Sequence, residues 1–111
     1  MGEDEPIVKK PIHRVAKGSR REKQCADELI KWGYTTWKTV RHRFLNIDLF
    51  GLFDVVGLAP EGDHLLFIQV KSNHVDKNTR ERIRALKMPK GCIKEIWVYK
   101  DRCGHTREVV E

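Results

Sequence analysis

The chain has 111 residues, of which 40% are hydrophobic and 34% are charged, and its formal net charge is +6. This length allows one domain with one hydrophobic core, and the basic balance suits a polyanionic partner such as a nucleic acid. The sequence has no apolar run near the roughly 18 residues that a membrane helix needs, and no signal-peptide core, so we predict neither a membrane nor a secreted protein.

The three cysteines predict free thiols. Cys25, Cys92 and Cys103 are odd in number, widely spaced and without a CxxC pair, which is typical of a reducing compartment. Cys92 and Cys103 with His105 match no common zinc-site spacing. We therefore expect a cytoplasmic protein without disulfides or structural zinc.

The N-terminal part predicts an arm followed by a helix. Residues 1–15 contain two prolines and mixed charges without periodicity, as expected of a flexible arm. Ser19 is followed three residues later by Glu22, the capping-box pattern that opens a helix. The helix is expected to run to Trp32 and to end at Gly33, because glycine readily adopts the left-handed conformation that closes a helix.

The rest of the chain predicts strands and one further helix. Alternating segments rich in β-branched and aromatic residues favour strands, with turn residues between them. The predicted strands are residues 34–40, 52–59, 64–72, 94–100 and a possible fifth over 106–110, and the second helix is 76–88. The order αβββαβ(β) predicts one α/β domain over residues 16–111, with a mixed central sheet flanked by helices.

Three polar residues interrupt the most hydrophobic stretch, LFDVVGLAPEGDHLLFIQVKS. Asp54 lies in the second predicted strand, and Gln69 and Lys71 lie in the third. Residues two apart in a strand share a face at a separation of about 6.6 Å, so Gln69 and Lys71 are expected to point the same way. The hairpin brings Asp54 toward this pair, although the sequence does not fix its register. An acid, an amide oxygen and an ammonium are thus expected to converge.

The first helix supplies a fourth polar group. Its predicted apolar stripe is Cys25, Ala26, Leu29 and Ile30. Glu22 shares the helical spacing of this stripe, so it is expected to face the sheet. A buried carboxylate is costly unless a cation or a metal meets it. Glu22 is therefore a candidate for the same site, and the alternative is that it only closes the capping box.

This combination suits metal-assisted hydrolysis of a phosphodiester. Mg²⁺ prefers oxygen ligands at about 2.0–2.1 Å and keeps several waters. Asp54 is the expected anionic ligand, and the Gln69 side-chain oxygen and the Val70 carbonyl complete the protein's share. A metal-bound water becomes the nucleophile as its pKa falls, while Lys71 orients it or neutralises the developing charge. Glu22 assists the water or holds a second metal.

The GSRRE helix, the FD at a strand start and the Q-V-K of the next strand resemble the PD-(D/E)XK nuclease superfamily. The small size and the helix motif are most similar to archaeal and viral Holliday-junction resolvases, followed by Mrr-like restriction or repair nucleases. The resemblance covers about residues 17 to 100. It implies a restriction-endonuclease-like fold, a Mg²⁺-dependent DNA endonuclease in which Mn²⁺ substitutes, branched or double-stranded DNA as substrate, and a homodimer. The family's catalytic positions fall on Glu22, Asp54, Gln69 and Lys71.

One position departs from the family pattern. Gln69 stands where the ExK motif has a glutamate, so an oxygen ligand is kept but a negative charge is lost. Asp48 and Glu22 are the acids that could compensate. The departure leaves open a nuclease-derived module that binds DNA without cutting it. Structural alternatives also remain, since Asp54 could cap local amides and Lys71 could end its strand in solvent.

Basic residues around these positions predict a phosphate-binding surface. Phosphate contacts carry no sequence information, so recognition is expected to depend on DNA shape and on salt. The candidates are Lys17, Arg20, Arg21, Lys77, Arg80, Arg84 and Lys87 on the two helices, and Arg41, Arg43 and Ser72 elsewhere. The alternative for any basic helix face is simple solvation.

Overall fold

The computed structural model describes residues 9–39 and 48–111, with only the backbone described for residues 9–18. The elements are α1 (Lys9–Lys31), β1 (Thr35–Lys38), β2 (Val55–Leu58), β3 (Leu65–Ser72), α2 (Lys77–Ala85), β4 (Cys92–Lys100) and β5 (Gly104–Val109). Within these two ranges, no helix is long and apolar enough to cross a membrane.

The five strands form one mixed sheet in the order β1-β2-β3-β4-β5. β1, β2 and β3 are antiparallel neighbours, β3 and β4 run parallel, and β5 pairs antiparallel with β4. α2 makes the crossover that a parallel pair requires. The predicted α/β class with a mixed sheet is confirmed, and the fifth strand that the sequence left open is present.

α1 begins earlier than the sequence predicted. It starts at Lys9, so residues 9–15, which were expected in an arm, are helical. Ser19 lies inside the helix and is not its N-cap. Pro11 is tolerated because it lies in the first turn, where the backbone N–H has no partner within the helix. A glycine inside a helix costs only about 1 kcal/mol relative to alanine, so Gly18 does not interrupt α1.

The end of α1 agrees with the prediction. Gly33 has a φ of +91°, and its N–H donates to the Ile30 carbonyl at 2.9 Å while the Tyr34 N–H donates to the Leu29 carbonyl at 3.0 Å. These two bonds form a Schellman motif, in which a left-handed glycine satisfies the last carbonyls of the helix. Ile30 is 53% exposed, so its predicted place in the buried stripe is wrong.

α1 covers one face of the sheet, which we call the α1 face. Its buried residues Cys25, Ala26 and Leu29 form one cluster with strand residues Val55, Leu66, Ile68, Val70, Trp97 and Tyr99. Helix and sheet approach closely at Gly57, where a β-carbon would lie 2.9 Å from Leu29 Cδ1 and 3.1 Å from Tyr34 Cδ2. Glycine is therefore required for the observed separation of α1 and β2.

α2 covers part of the opposite face, which we call the α2 face. The buried cluster there is Ile83 of the helix with Leu52, Phe53, Phe67, Ile96 and Val110. The helix is shorter than predicted and is capped by Asp76, whose side chain accepts the Thr79 N–H at 2.8 Å. Hydrogen bonding to the Thr79 side chain, and then to its backbone N–H, lowers the pKa of Asp76. The cap explains why the helix begins where it does.

Lys94 of β4 holds the other end of α2. Its side chain is buried, and its ammonium donates to the carbonyl oxygens of Ile83, Arg84 and Leu86 at 2.7, 3.2 and 2.6 Å. Burial lowers the pKa of Lys94, and repulsion from Lys87 and Arg84 lowers it further. The basic helix is thus fixed to the sheet by a cation at its C-terminal end, where the helix dipole favours positive charge.

Candidate active site

An extra residue at the start of β2 sets the position of Asp54. Val55 is the register partner of Ile68 on β3, and the Asp54 N–H also donates to the Ile68 carbonyl oxygen, at 2.8 Å. Two residues opposite one form a β-bulge, which bends the strand and redirects its side chains. The Asp54 side chain reaches the neighbouring part of β3 and is only 1% exposed.

The Asp54 carboxylate binds β3 directly. Its Oδ2 atom accepts the Val70 backbone N–H at 2.9 Å and the Gln69 Nε2–H at 3.2 Å. Strand pairing between β2 and β3 begins at Val55. Before that point, the Asp54 side chain accepts the Val70 N–H in place of a backbone carbonyl of a partner strand. The prediction that the hairpin places Asp54 beside Gln69 is confirmed.

Gln69 and Lys71 both lie on the α2 face. They pair in register with Ile96 and Val98 of β4, and both of these residues belong to the apolar cluster on that face. Each polar side chain is half-buried. The predicted common face of Gln69 and Lys71 is therefore confirmed.

Glu22 lies on the other side of the sheet. It is 1% exposed and belongs to the buried face of α1, as predicted, whereas Asp27 points to solvent. The four predicted groups are thus divided between the two faces of the sheet. Asp54 lies where the pairing of β2 with β3 begins. Glu22 is on the α1 side of this point, and Gln69 and Lys71 are on the α2 side.

The pKa of the Cys25 thiol is raised by its buried and acidic surroundings. Burial raises its pKa most, and repulsion from Glu95, Asp54 and Glu22 raises it further. Asp54 and Glu22 therefore lie within electrostatic range of one sulfur atom. A divalent cation beside Asp54 would also be attracted by a negative charge on Glu22, because charges in a poorly screened interior interact over several ångströms.

Asp54 is the acid that could hold a hard cation here. Among the described residues, no three histidine, cysteine, aspartate or glutamate side chains form a metal-binding group, so any further ligands would be amide or carbonyl oxygens and water. The N–H and C=O of one strand residue point toward the same neighbour, which directs the Val70 carbonyl to the same side as Asp54. Gln69 presents Nε2 to Asp54, so it serves as a ligand only after its amide turns over. Such a set suits Mg²⁺, which retains several waters.

Thr39, which the sequence did not single out, connects Asp54 to another acid. Its N–H donates to the Asp54 carbonyl oxygen at 2.7 Å, and its hydroxyl donates to Asp48 Oδ1 at 3.3 Å. Asp48, considered as a compensating acid, is thus connected through Thr39 to the backbone of Asp54. A threonine at a strand end is ordinary, so the sequence carries no signal of this connection.

Glu95 of β4 is a further buried acid that the sequence did not reveal. It is 3% exposed and accepts hydrogen bonds from Arg107 Nε and Nη2, both at 3.0 Å, and from Trp97 Nε1 at 2.8 Å. The Arg107 guanidinium carbon lies 4.9 Å from the ring centroid of Trp32 and 5.1 Å from that of Trp97. This bidentate pair neutralises Glu95, which has a structural role.

The predicted phosphate contacts differ in how free their side chains are. Arg80 donates to Glu108 through Nε at 3.0 Å and Nη2 at 2.7 Å, and Arg84 pairs with Glu81 at 2.7 Å. Arg20, Lys77 and Lys87 are exposed, and Ser72 is half-buried at the end of β3. The Lys17 side chain and residues Arg41 and Arg43 lie outside the described residues. Arg80 and Arg84 are thus engaged in ion pairs within the chain.

Comparison of the chain with protein-family models, curated proteins and solved structures finds no match. The function is therefore inferred from the residues and their geometry.

Proposed function

We propose that the chain is a metal-dependent DNA endonuclease that hydrolyses phosphodiester bonds and prefers branched DNA, with a restriction-endonuclease-like fold of the Holliday-junction resolvase kind. One observation carries this proposal. The Asp54 carboxylate meets Gln69 Nε2 and the Val70 N–H at one point of β3, with Lys71 on the same face as Gln69. A buried acid, an amide and a nearby cation on adjacent strands are the parts that a one-metal phosphodiesterase site needs.

Each residue has a separate role in the proposed reaction. Mg²⁺, or Mn²⁺ in its place, would supply a water of lowered pKa when bound. Asp54 would hold the ion, and the bond of its carboxylate to the Val70 N–H fixes the orientation of the carboxylate. Lys71 neutralises the charge that develops on the phosphate. Glu22 adds negative potential from the α1 side, which strengthens metal binding where Gln69 has replaced a glutamate.

The nuclease proposal is tested with two variants and one control. Asp54→Asn removes the anionic ligand, and Lys71→Met removes the cation while keeping the length of the side chain. We expect both to lose more than about 100-fold in the rate of Mg²⁺-dependent cleavage of a four-way junction, since even supporting contacts around a metal contribute 10–100-fold. Junction binding in Ca²⁺ should persist. Lys90→Met, an exposed lysine before β4, is the matched control, and wild-type rates in both test variants would overturn the assignment.

A second function is favoured by one observation. Gln69 donates from Nε2 to Asp54, so the contact is complete without a metal, as in a nuclease-derived module that binds DNA but does not cut it. Incubation of the wild-type protein with junction, flap, single-stranded and linear duplex DNA in Mg²⁺ and in Mn²⁺ separates the two functions. Stable complexes without cleavage of any substrate identify the binding module.

A homodimer belongs to the same proposal, because symmetric cutting of a junction requires two active sites. Trp37, Phe50 and Leu58 are large apolar residues that are 41%, 62% and 43% exposed in the single chain, and burial of such residues stabilises an interface. Analytical ultracentrifugation with and without junction DNA tests the dimer. A monomer in both conditions contradicts it.

A further inference from the structure

A pocket of about 470 Å³ lies between α1 and the hairpin that joins β4 to β5. The rings of Tyr99 and His105 form one wall and stack on each other at 4.8 Å. Its charged lining residues are Arg21, Lys31, Lys100 and Arg102, with the acids Asp27 and Glu28. Of these, only Arg21 was a candidate for DNA contact from the sequence.

The pocket opens at the same end of the sheet as Asp54. The Asn73 N–H, directly after β3, donates to the Tyr99 carbonyl at 2.7 Å, and the Asp101 N–H donates to Asn73 Oδ1 at 3.4 Å. These bonds place the end of β3, which carries Lys71, beside the pocket wall. Two strand spacings, about 10 Å, separate β2 from β4. Asp54 and the pocket thus lie at the same end of the sheet, with the pocket on the α1 face.

The end of the pocket near the hairpin is positively charged. Arg21 is 15% exposed and donates from Nη2 to Asp101 at 2.8 Å and from Nη1 to Gln24 at 3.2 Å. Its Nε atom is buried and has no hydrogen-bond partner within the part of the chain that the structure describes. The guanidinium is otherwise engaged within the protein, by Asp101, Gln24 and the Tyr99 ring. With exposed Lys100 and Arg102 beside it, this end is complementary to a phosphate.

The other end of the pocket presents acceptors. Glu28 is seven residues beyond Arg21 on α1, a distance of about 10 Å along the helix. Asp27 next to it is paired with Lys23 at 2.8 Å, Glu28 is a second acceptor, and Lys31 is a cation at the same end. Carboxylates accept from the exocyclic amino groups of bases. Cations near the hairpin, carboxylates farther along α1 and an aromatic wall are groups that a nucleotide could contact.

We propose that this pocket receives one unpaired nucleotide of the DNA substrate, with its phosphate toward Lys100 and Arg102 and its base toward Glu28. The proposal rests on DNA as the substrate but not on cleavage. A base stacked in continuous duplex cannot enter a recess of this size, whereas an unpaired base at a branch or overhang can. The pocket thus gives the protein a physical basis for selecting branched DNA over linear duplex.

The test measures binding of the full chain in Ca²⁺, by fluorescence anisotropy, to a blunt duplex and to the same duplex with a short single-stranded overhang. Gln24→Trp fills the pocket from an exposed helix position, and Ile30→Trp adds the same ring to α1 away from the pocket. Lys100→Ala and Arg102→Asn remove the phosphate contacts, with asparagine chosen because Arg102 has a φ of +63°. Lys90→Ala, before the other end of β4, is the charge-matched control.

We expect wild type to prefer the overhang duplex, and Gln24→Trp, Lys100→Ala and Arg102→Asn to lower that preference at least about fivefold, since holding one base contributes at least that much to affinity. Ile30→Trp and Lys90→Ala should keep it. Equal binding of both duplexes by wild type, or an unchanged preference in all three pocket variants, overturns the pocket proposal whatever the cleavage result. If the pocket variants lose the preference and the protein cuts no DNA, the pocket proposal is supported and the nuclease proposal is excluded.

Discussion

The carboxylate of Asp54, directly before β2, accepts the backbone N–H of Val70 on β3 at 2.9 Å. The proposed metal ligand is therefore also a structural acceptor, because the Val70 N–H would otherwise be buried without a partner. Loss of a buried hydrogen-bond partner costs about 1–3 kcal/mol. Any substitution of Asp54 thus affects both stability and activity, and its stability must be measured beside its cleavage rate.

Gln69→Glu tests whether a metal joins the two strands at this point. The new carboxylate lies where Gln69 Nε2 is now 3.2 Å from Asp54 Oδ2, and two carboxylates this close repel. We expect the metal-free variant to melt roughly 4 °C or more below wild type, and Mg²⁺ to raise its melting temperature more than that of wild type. Calorimetry across a Mg²⁺ series checks this. Asn78→Asp, at an exposed position of α2, is the amide-to-acid control, and no added response to Mg²⁺ would exclude a metal at Asp54 and Gln69.

Lys94→Met tests the cation under α2. The substitution keeps the aliphatic length but removes the donor to three carbonyl oxygens of the last helical turn. We expect a loss of about 1–3 kcal/mol in the free energy of unfolding, the usual cost of leaving buried acceptors without a donor. Urea denaturation measures it, with exposed Lys90→Met as control. An unchanged urea midpoint would show that the helix does not depend on this lysine.

Gly57→Ala tests the close approach of α1 to β2. The added β-carbon meets Leu29 Cδ1 at 2.9 Å and Tyr34 Cδ2 at 3.1 Å, so we expect a destabilisation of about 1–3 kcal/mol from overpacking. Leu29→Ala removes the nearer obstacle, and the double variant should therefore lose less than the sum of the single variants. Additive losses in chemical denaturation would contradict the contact.

The Arg80–Glu108 pair makes stability depend on acid pH. The hydrogen bond from Arg80 lowers the pKa of Glu108 below its ordinary 4.5, so the folded state favours the charged carboxylate. This contribution is present at neutral pH and is lost as the pH falls below 4.5 through the lowered value. Glu108→Gln should destabilise the protein at neutral pH but not in strong acid, whereas exposed Glu61→Gln should have little effect at either. A pH-independent difference between wild type and Glu108→Gln would exclude this linkage.

The thiols of Cys103 and Cys25 should differ in reactivity. Cys103 is exposed and Cys25 is buried, and burial together with the nearby acids raises the pKa of Cys25. Because the thiolate is the reactive form, a disulfide reagent should modify Cys103 in the native protein and Cys25 only after unfolding. Mass spectrometry of peptides from a time course checks the order. Labelling of Cys25 as fast as Cys103 would contradict its buried environment.

Much of the fold was predictable because its signals are local. Period-two alternation marked the strands, and Gly33 marked the end of α1, where it adopts a φ of +91°. The start of α1 was missed for a related reason, since Pro11 and Gly18 are poor helix residues taken singly, yet both lie within the helix. Propensity is a weak guide where a segment is already part of a longer helix.

The sequence by itself determined which polar residues share a strand face, because the side-chain period of a β-strand is fixed by its backbone. It also determined the order of helices and strands. Only the tertiary structure decided that a bulge directs the Asp54 carboxylate to the Val70 N–H, and that the sheet separates Glu22 from Gln69 and Lys71. It also decided that Arg80 forms an ion pair with Glu108. Each of these depends on strand register or on contacts between distant segments, and a two-for-one pairing such as Asp54 and Val55 opposite Ile68 has no signature in either strand alone.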